Sequence, residues 1–227
     1  MASVVDICNM ALGLIGDRAT VSSIDPPEQS YQAEKCAQYF GQARDAVLSD
    51  PDATWSFATR RTEPALLTAT TPTWRYGYAA PADLLRAISI LPPGASDDYS
   101  ASFAVSTVQG AIYPGTPPLV GAYTPQPFAL ESLEDGTRVI WSNQETPILR
   151  YVARAEDPTR WSALFVEALT ARLASLLAGP ILKGKEGTAM ADAMLKRSLD
   201  LIRRAAAADA RQRNIRPRHS VPWLAGR

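Results

Sequence analysis

Residues 157–180 read DPTRWSALFVEALTARLASLLAGP, and this stretch decides the fold class. Trp161, Leu164, Phe165, Ala168, Leu169, Leu173, Leu176 and Leu177 recur at helical spacing and make a wide apolar stripe. Ala171, Ala174 and Ala178 are small enough to let a second helix approach closely. Asp157-Pro158 supplies an acid cap and an early proline, so a helix is expected to start there. Gly179-Pro180 is expected to weaken or end it. A stripe this wide must be buried against other helices, and the rest of the chain has to supply them.

Three further helices are readable. Downstream, Ala191, Met194, Leu195, Leu199, Ile202 and Ala205 predict a final helix from about Thr188 to Arg211. At the other end, Val4, Cys8, Ala11, Leu12 and Ile15 predict a first helix, with Ser3 as its cap and Gly16 as its stop. Asp25-Pro26-Pro27-Glu28 has the form of a helix start. The second helix that follows it places Ala33, Cys36, Ala37, Phe40, Ala43 and Val47 on one face, and Pro51 stops it.

Between the two pairs the pattern changes. Twelve of the 18 prolines lie from Arg60 to Pro158, and helical periodicity is lost. Short β-like runs replace it at Trp74–Ala79, Leu84–Leu91, Ser102–Val108, Arg138–Ser142 and Ile148–Ala153. Pro92-Pro93-Gly94, Tyr113-Pro114-Gly115 and Glu134-Asp135-Gly136 are turn signals between them. The expected fold is therefore α+β. Residues 1–59 and 157–211 form a four-helix bundle from both chain ends, residues 60–156 an inserted antiparallel β domain, and residues 212–227 an extended C-terminal tail.

Composition narrows the function classes. With 227 residues, 46% of them hydrophobic and 20% charged, the chain can build a real core. Net charge is zero, so overall charge gives no argument for a nucleic-acid binder. The distribution is uneven: residues 1–59 carry three basic and eight acidic groups, and residues 196–227 nine basic and two acidic. Such opposite ends suit complementary surfaces on neighbouring copies or on a partner. Cys8 and Cys36 fall on apolar helix faces and read as small buried residues rather than a disulfide or metal ligands. No signal peptide is recognisable, and no stretch approaches the roughly 20 apolar residues of a membrane span, so a soluble protein made in a reducing cytoplasm is expected.

Catalytic constellations are hard to find. Gly179–Glu186 nearly matches the phosphate-binding loop G-x-x-x-x-G-K-[ST], but Glu186 would repel phosphate and cannot ligate magnesium. A helix rather than a strand precedes it, so an interhelical loop is the better reading. His219 is the only histidine and lies in the tail, without the setting of a catalytic base. Metal-binding spacings are absent, and the acid pairs Asp97-Asp98 and Glu134-Asp135 sit in turns. The expectation is no enzyme activity, no catalytic residues, no cofactor and no metal.

Two interaction signals stand out. In the tail, Arg211, Arg213, Arg216, Arg218 and Arg227 surround Pro217, Pro222 and Trp223. Arginine forks grip carboxylates and phosphates, and Trp and Arg are favoured interface anchors. Trp74, Tyr76 and Tyr78 alternate along a strand and would present three rings on one face, as a β-domain core, a subunit contact or a base-stacking row.

Several blocks together resemble the tail tubular protein A family, the head-to-tail adaptors of podoviruses. The opening Val4-Val5-Asp6-Ile7-Cys8-Asn9-Met10-Ala11-Leu12-Gly13-Leu14-Ile15-Gly16 is similar to that family's first helix. Trp55-Ser56-Phe57-Ala58 resembles its Trp-x-Phe-Ala block after the second helix. Trp74-Arg75-Tyr76-Gly77-Tyr78 with Pro81-Ala82-Asp83-Leu84-Leu85-Arg86 resembles its first β block. Arg150-Tyr151-Val152, Asp157-Pro158 and Phe165-Val166-Glu167-Ala168-Leu169 resemble the return into its third helix. Ser220-Val221-Pro222-Trp223-Leu224-Ala225-Gly226-Arg227 is similar to its Ser-x-x-Trp-x-x-x-Arg close. The resemblance covers nearly the whole chain. Residues 94–137 depart most.

The resemblance implies a dodecameric ring, part of a phage virion at the head–tail interface and assembled in the host cytoplasm. The helices would line the ring, and the tail (Arg211, Arg213, Arg216, Arg218, Trp223, Arg227) would reach the portal protein. The β domain would face the tail nozzle, a tail tubular protein B-like partner, or tail fibres. DNA would pass through the channel without specific binding, and no membrane would be involved. A DNA-binding structural module and a tail-associated hydrolase are the rival readings.

Overall fold

A computed structural model describes residues 2–69, 71–92 and 126–210. Among the described residues the fold is α+β, with four α-helices and two antiparallel sheets. In chain order the helices are α1 (Val4–Leu14), α2 (Tyr31–Leu48), α3 (Ala163–Leu182) and α4 (Gly184–Ala210). The strands are β1 (Thr59–Thr62), β2 (Leu66–Leu67), β3 (Tyr76–Ala79), β4 (Leu84–Leu91), β5 (Phe128–Ser132), β6 (Arg138–Ser142) and β7 (Ile148–Ala153). The described residues divide into two compact units, a helical one of 2–59 and 152–210 and a strand-rich one within 60–151. The run Ser102–Val108, expected as a strand, lies outside the described residues.

In the helical unit, α1 begins with a reciprocal cap. The Asp6 N–H donates to Ser3 Oγ at 3.1 Å, and the Ser3 N–H donates to Asp6 Oδ2 at 2.8 Å. Ile7, Cys8, Ala11 and Leu12 form the buried side of this helix. The Asn9 side chain then fastens the following loop by two bonds to the Val21 backbone, at 2.7 and 2.9 Å.

The start of α2 differs from expectation. Its cap is Ser30, which accepts the Ala33 N–H at 3.2 Å, rather than Asp25. Residues 22–30 form a hydrogen-bonded turn instead. Glu28 accepts from the Ser22 hydroxyl and from Ser30 Oγ (3.0 Å), so its carboxylate closes a loop and is not available to a helix start. The Asp25-Pro26 peptide is cis, and Ile24 bridges Pro27.

The third helix is also displaced. Asp157 does cap, but it caps a short 3₁₀ turn, Pro158–Arg160. The cap of α3 is Ser162, which accepts the Phe165 N–H. Trp161 therefore sits in the joint between the two, buried and stacked on Phe40 at 6.3 Å. Pro180 does not end α3. It lies in the last turn, where few hydrogen bonds remain to be lost, and the helix runs on to Leu182. The stop is Lys183 (φ 56°) and Gly184 (φ 60°), two successive left-handed residues that reverse the chain. The last helix consequently starts at Gly184, four residues before the expected Thr188.

The hairpin of α3 and α4 packs tightly. A side chain at Gly187 would meet the Ala178 carbonyl at 3.0 Å, so glycine here sets the interhelical distance. Further along, the buried Ser198 hydroxyl donates to the Ala168 carbonyl at 2.9 Å. Besides α4, α3 also touches α1 and α2. Being partnered on several sides, it buries residues around most of its circumference, from Phe165 to Ala178. Its mean hydropathy of 1.5 makes it, by length and composition alone, long and apolar enough to cross a membrane. That corrects the expectation that no stretch approaches a membrane span. Packing against three helices accounts for the same composition.

Aromatic side chains knit this unit together. Trp55 meets Phe165 edge-on at 4.9 Å, Phe57 meets Phe165 at 5.1 Å, and Trp161 meets Phe165 at 5.2 Å. The Trp55 indole N–H donates to the Val47 carbonyl at 2.9 Å, which ties the α2 exit to the same cluster.

In the strand-rich unit, one sheet has the order β2-β3-β6-β5 and the other β1-β7-β4. The β3–β6 register pairs Tyr76 with Ser142, Gly77 with Trp141 and Tyr78 with Ile140. Gly77 has no side chain because the Trp141 ring occupies that space, and a Cβ there would overlap it. The turn after β5 is closed by Leu133, Gly136 (φ 84°) and Asp135, which accepts the Thr137 N–H at 2.8 Å.

Candidate functional site

The six tail residues expected to dock a partner, Arg211, Arg213, Arg216, Arg218, Trp223 and Arg227, lie outside the described residues. The aromatic row is described and is shorter than expected. β3 starts at Tyr76, and Trp74 precedes it, its N–H donating to Thr71 Oγ1 at 3.1 Å. Strand alternation puts Tyr76 and Tyr78 on one face, with their ring centroids 6.3 Å apart. Tyr78 is buried, and its hydroxyl donates to the carbonyls of Gln144 and Glu145. Burial, and then the nearby Tyr76 and Glu145 charges, push that hydroxyl above the ordinary tyrosine range. A ring enclosed in this way supports the sheet and is not free to stack on a base. Beside it on the same face, Leu66 of β2 is 61% exposed and pairs with Tyr78.

A second polar group in this unit is built around Asp83. Its carboxylate takes an ion pair from Arg60 and a hydrogen bond from the Tyr151 hydroxyl at 3.1 Å. Burial and the bond to Asp83 raise the Tyr151 hydroxyl. With both oxygens engaged, Asp83 acts as a brace between residues distant in sequence.

The helical unit holds a cleft that the sequence reading did not single out. It measures about 260 Å³ and is lined by Val47, Arg172, Leu195, Ser198, Leu199 and Ile202, with Asp50 at its rim. Leu199, assigned to the buried stripe, is in fact 39% exposed at this cleft. Arg172 is half-buried and makes no ion pair among the described residues. The available signal was Arg172, the one basic residue of a helix whose only other charge is Glu167. Such an arrangement is suited to holding an apolar side chain with a carboxylate next to it.

Cys8 and Cys36 are free and buried. The hydrogen bond that the Cys8 thiol donates to Cys36, together with burial, holds Cys8 above its ordinary range, so Cys8 is an unreactive core group. Among the described residues no group of three or more His, Cys, Asp or Glu side chains could hold a metal ion. The segment 179–186, close in sequence to a phosphate loop, is the end of α3, the reversal at Lys183 and the first turn of α4. No protein-family model matches this chain, and no curated protein matches it.

Proposed function

We propose that this chain is a structural subunit of a ring, the head-to-tail adaptor of a short-tailed phage. The observation that carries the reading is the joining of the chain's two ends. α1 from the N-terminal side and α4 from the C-terminal side both pack on α3, as α2 does, and the strands come from the middle of the chain. We read the helical unit as a four-helix bundle with α3 at its centre. The bundles would stand side by side in a closed ring, which the family resemblance puts at twelve copies around a DNA channel. The basic segment after α4 would extend to the portal, with Arg211, Arg213, Arg216, Arg218, Arg227 and Trp223 as anchors. The strand-rich unit would meet the tail nozzle or fibres.

Deleting residues 212–227 tests this directly. The truncated chain is expected to fold, with an unchanged circular dichroism spectrum, and to lose binding to portal rings in pull-down and negative-stain microscopy. Full-affinity docking by the truncated chain would overturn the assignment. The DNA-binding alternative predicts tight duplex binding that weakens steeply with salt.

A further inference from the structure

We infer that the cleft between α2 and α4 receives the outer face of α1 from a second copy of this chain. The inference rests on the ring reading and names the surfaces by which its subunits would meet. Arg172 is half-buried in a cleft with Val47, Leu195, Leu199 and Ile202; Asp50 lines the same cleft but makes no ion pair with it, so the guanidinium can take a carboxylate from outside. The cleft mixes apolar side chains (Val47, Leu195, Leu199, Ile202) with polar ones (Asp50, Arg172, Ser198), and Leu199 is 39% exposed there. Its natural occupant carries an apolar knob and a carboxylate about one helical turn apart.

The outer face of α1 has that form. Asp6, Met10 and Gly13 follow at i, i+4 and i+7 and are exposed, while Ile7, Cys8, Ala11 and Leu12 face the core. Met10 is 43% exposed, and methionine is unbranched and fits irregular gaps. Asp6 uses Oδ2 to cap the helix and keeps Oδ1. At Gly13 an added Cβ would meet nothing within 4 Å, so a neighbouring helix can come close there. Charge agrees. Residues 1–59 carry eight acids against three bases, whereas residues 192–204 of α4 carry Lys196, Arg197, Arg203 and Arg204 against Asp192 and Asp200, with Asp50 also on the cleft. Arg203 is partly engaged by Asp52 and Asp200, which leaves Lys196 and Arg197 to face the acidic neighbour. Because the knob and the cleft are different patches, each copy offers one of each. The contact is heterologous and repeats around a ring.

Cross-linking tests this with the full chain. Met10→Cys and Leu199→Cys variants are made separately, mixed, and oxidised with oxidised glutathione. Cys8 and Cys36 are buried and should stay silent. The mixture is expected to give a disulfide-linked heterodimer, and the double variant a ladder of higher oligomers. Adding Arg172→Gln should slow cross-linking several-fold. Dimers from Leu199→Cys alone, as abundant as in the mixture, would indicate a symmetric contact and overturn the inference. So would absent cross-links under conditions where sedimentation shows the wild-type chain assembling, and there the ring reading survives. A wild-type chain that stays monomeric both at high concentration and with portal rings, and does not cross-link, sinks both.

Discussion

The glycine at position 77 is the residue with the least freedom to change. Any Cβ there enters the Trp141 ring, so Gly77→Ala should lower the stability of the strand-rich unit by about 1–3 kcal/mol. Thermal melts followed by tryptophan fluorescence would measure this. Trp141→Phe should restore part of the loss in the double variant, since it shrinks the ring and removes an indole N–H that is buried without a hydrogen-bond partner. Charged residues act at the same scale. Hydrogen bonds from Ser3 hold Asp6 below the ordinary carboxylate range, those from Ser22 and Ser30 do the same for Glu28, and Thr159 does so for Asp157. Each of these groups binds its proton less readily when folded. Its contribution is complete above the unfolded values near pH 4 and is lost as pH falls through the lower folded ones. The urea midpoint should therefore decline below about pH 4. Glu28→Gln should flatten that decline while lowering the midpoint at pH 7. A wild-type midpoint that stays level from pH 6 to pH 3 contradicts this.

At the scale of elements, the α3–α4 hairpin depends on close approach at Gly187. Gly187→Leu should push the helices apart and cost the helical unit about 1–3 kcal/mol, read as a lower melting temperature by far-ultraviolet circular dichroism. The same elements indicate what periodicity can and cannot reveal. The stripe from Leu164 to Leu177 marked α3 because packing and pattern agree there, and the β-like runs at 84–91, 138–142 and 148–153 became strands. Helix starts were misplaced at Asp25 and Asp157 because an acid followed by proline also closes a turn. Only the bonds made by Glu28 and Ser162 distinguish the two outcomes. β1, β2 and β5 escaped notice because strands of two to five residues exposed on one edge carry little alternation. The cleft was unreadable for a different reason. It exists only where the end of α2, more than 100 residues earlier in sequence, meets the α3–α4 hairpin, and Leu199 looks like any other stripe residue until that geometry is known.

Across the whole molecule, the described residues divide into two compact units. Calorimetry should resolve two transitions, with Gly77→Ala lowering one and Gly187→Leu the other. A single transition moved equally by both variants would mean that the units unfold together. The placement of α3 also bears on how the protein is made. α1 and α2 leave the ribosome more than 100 residues ahead of the helix that covers their apolar sides, so newly made chain exposes those sides while the strands are still being synthesised. Helper proteins that shield nascent apolar surface have their longest opportunity in that interval, and chains halted before residue 163 should be the ones that aggregate.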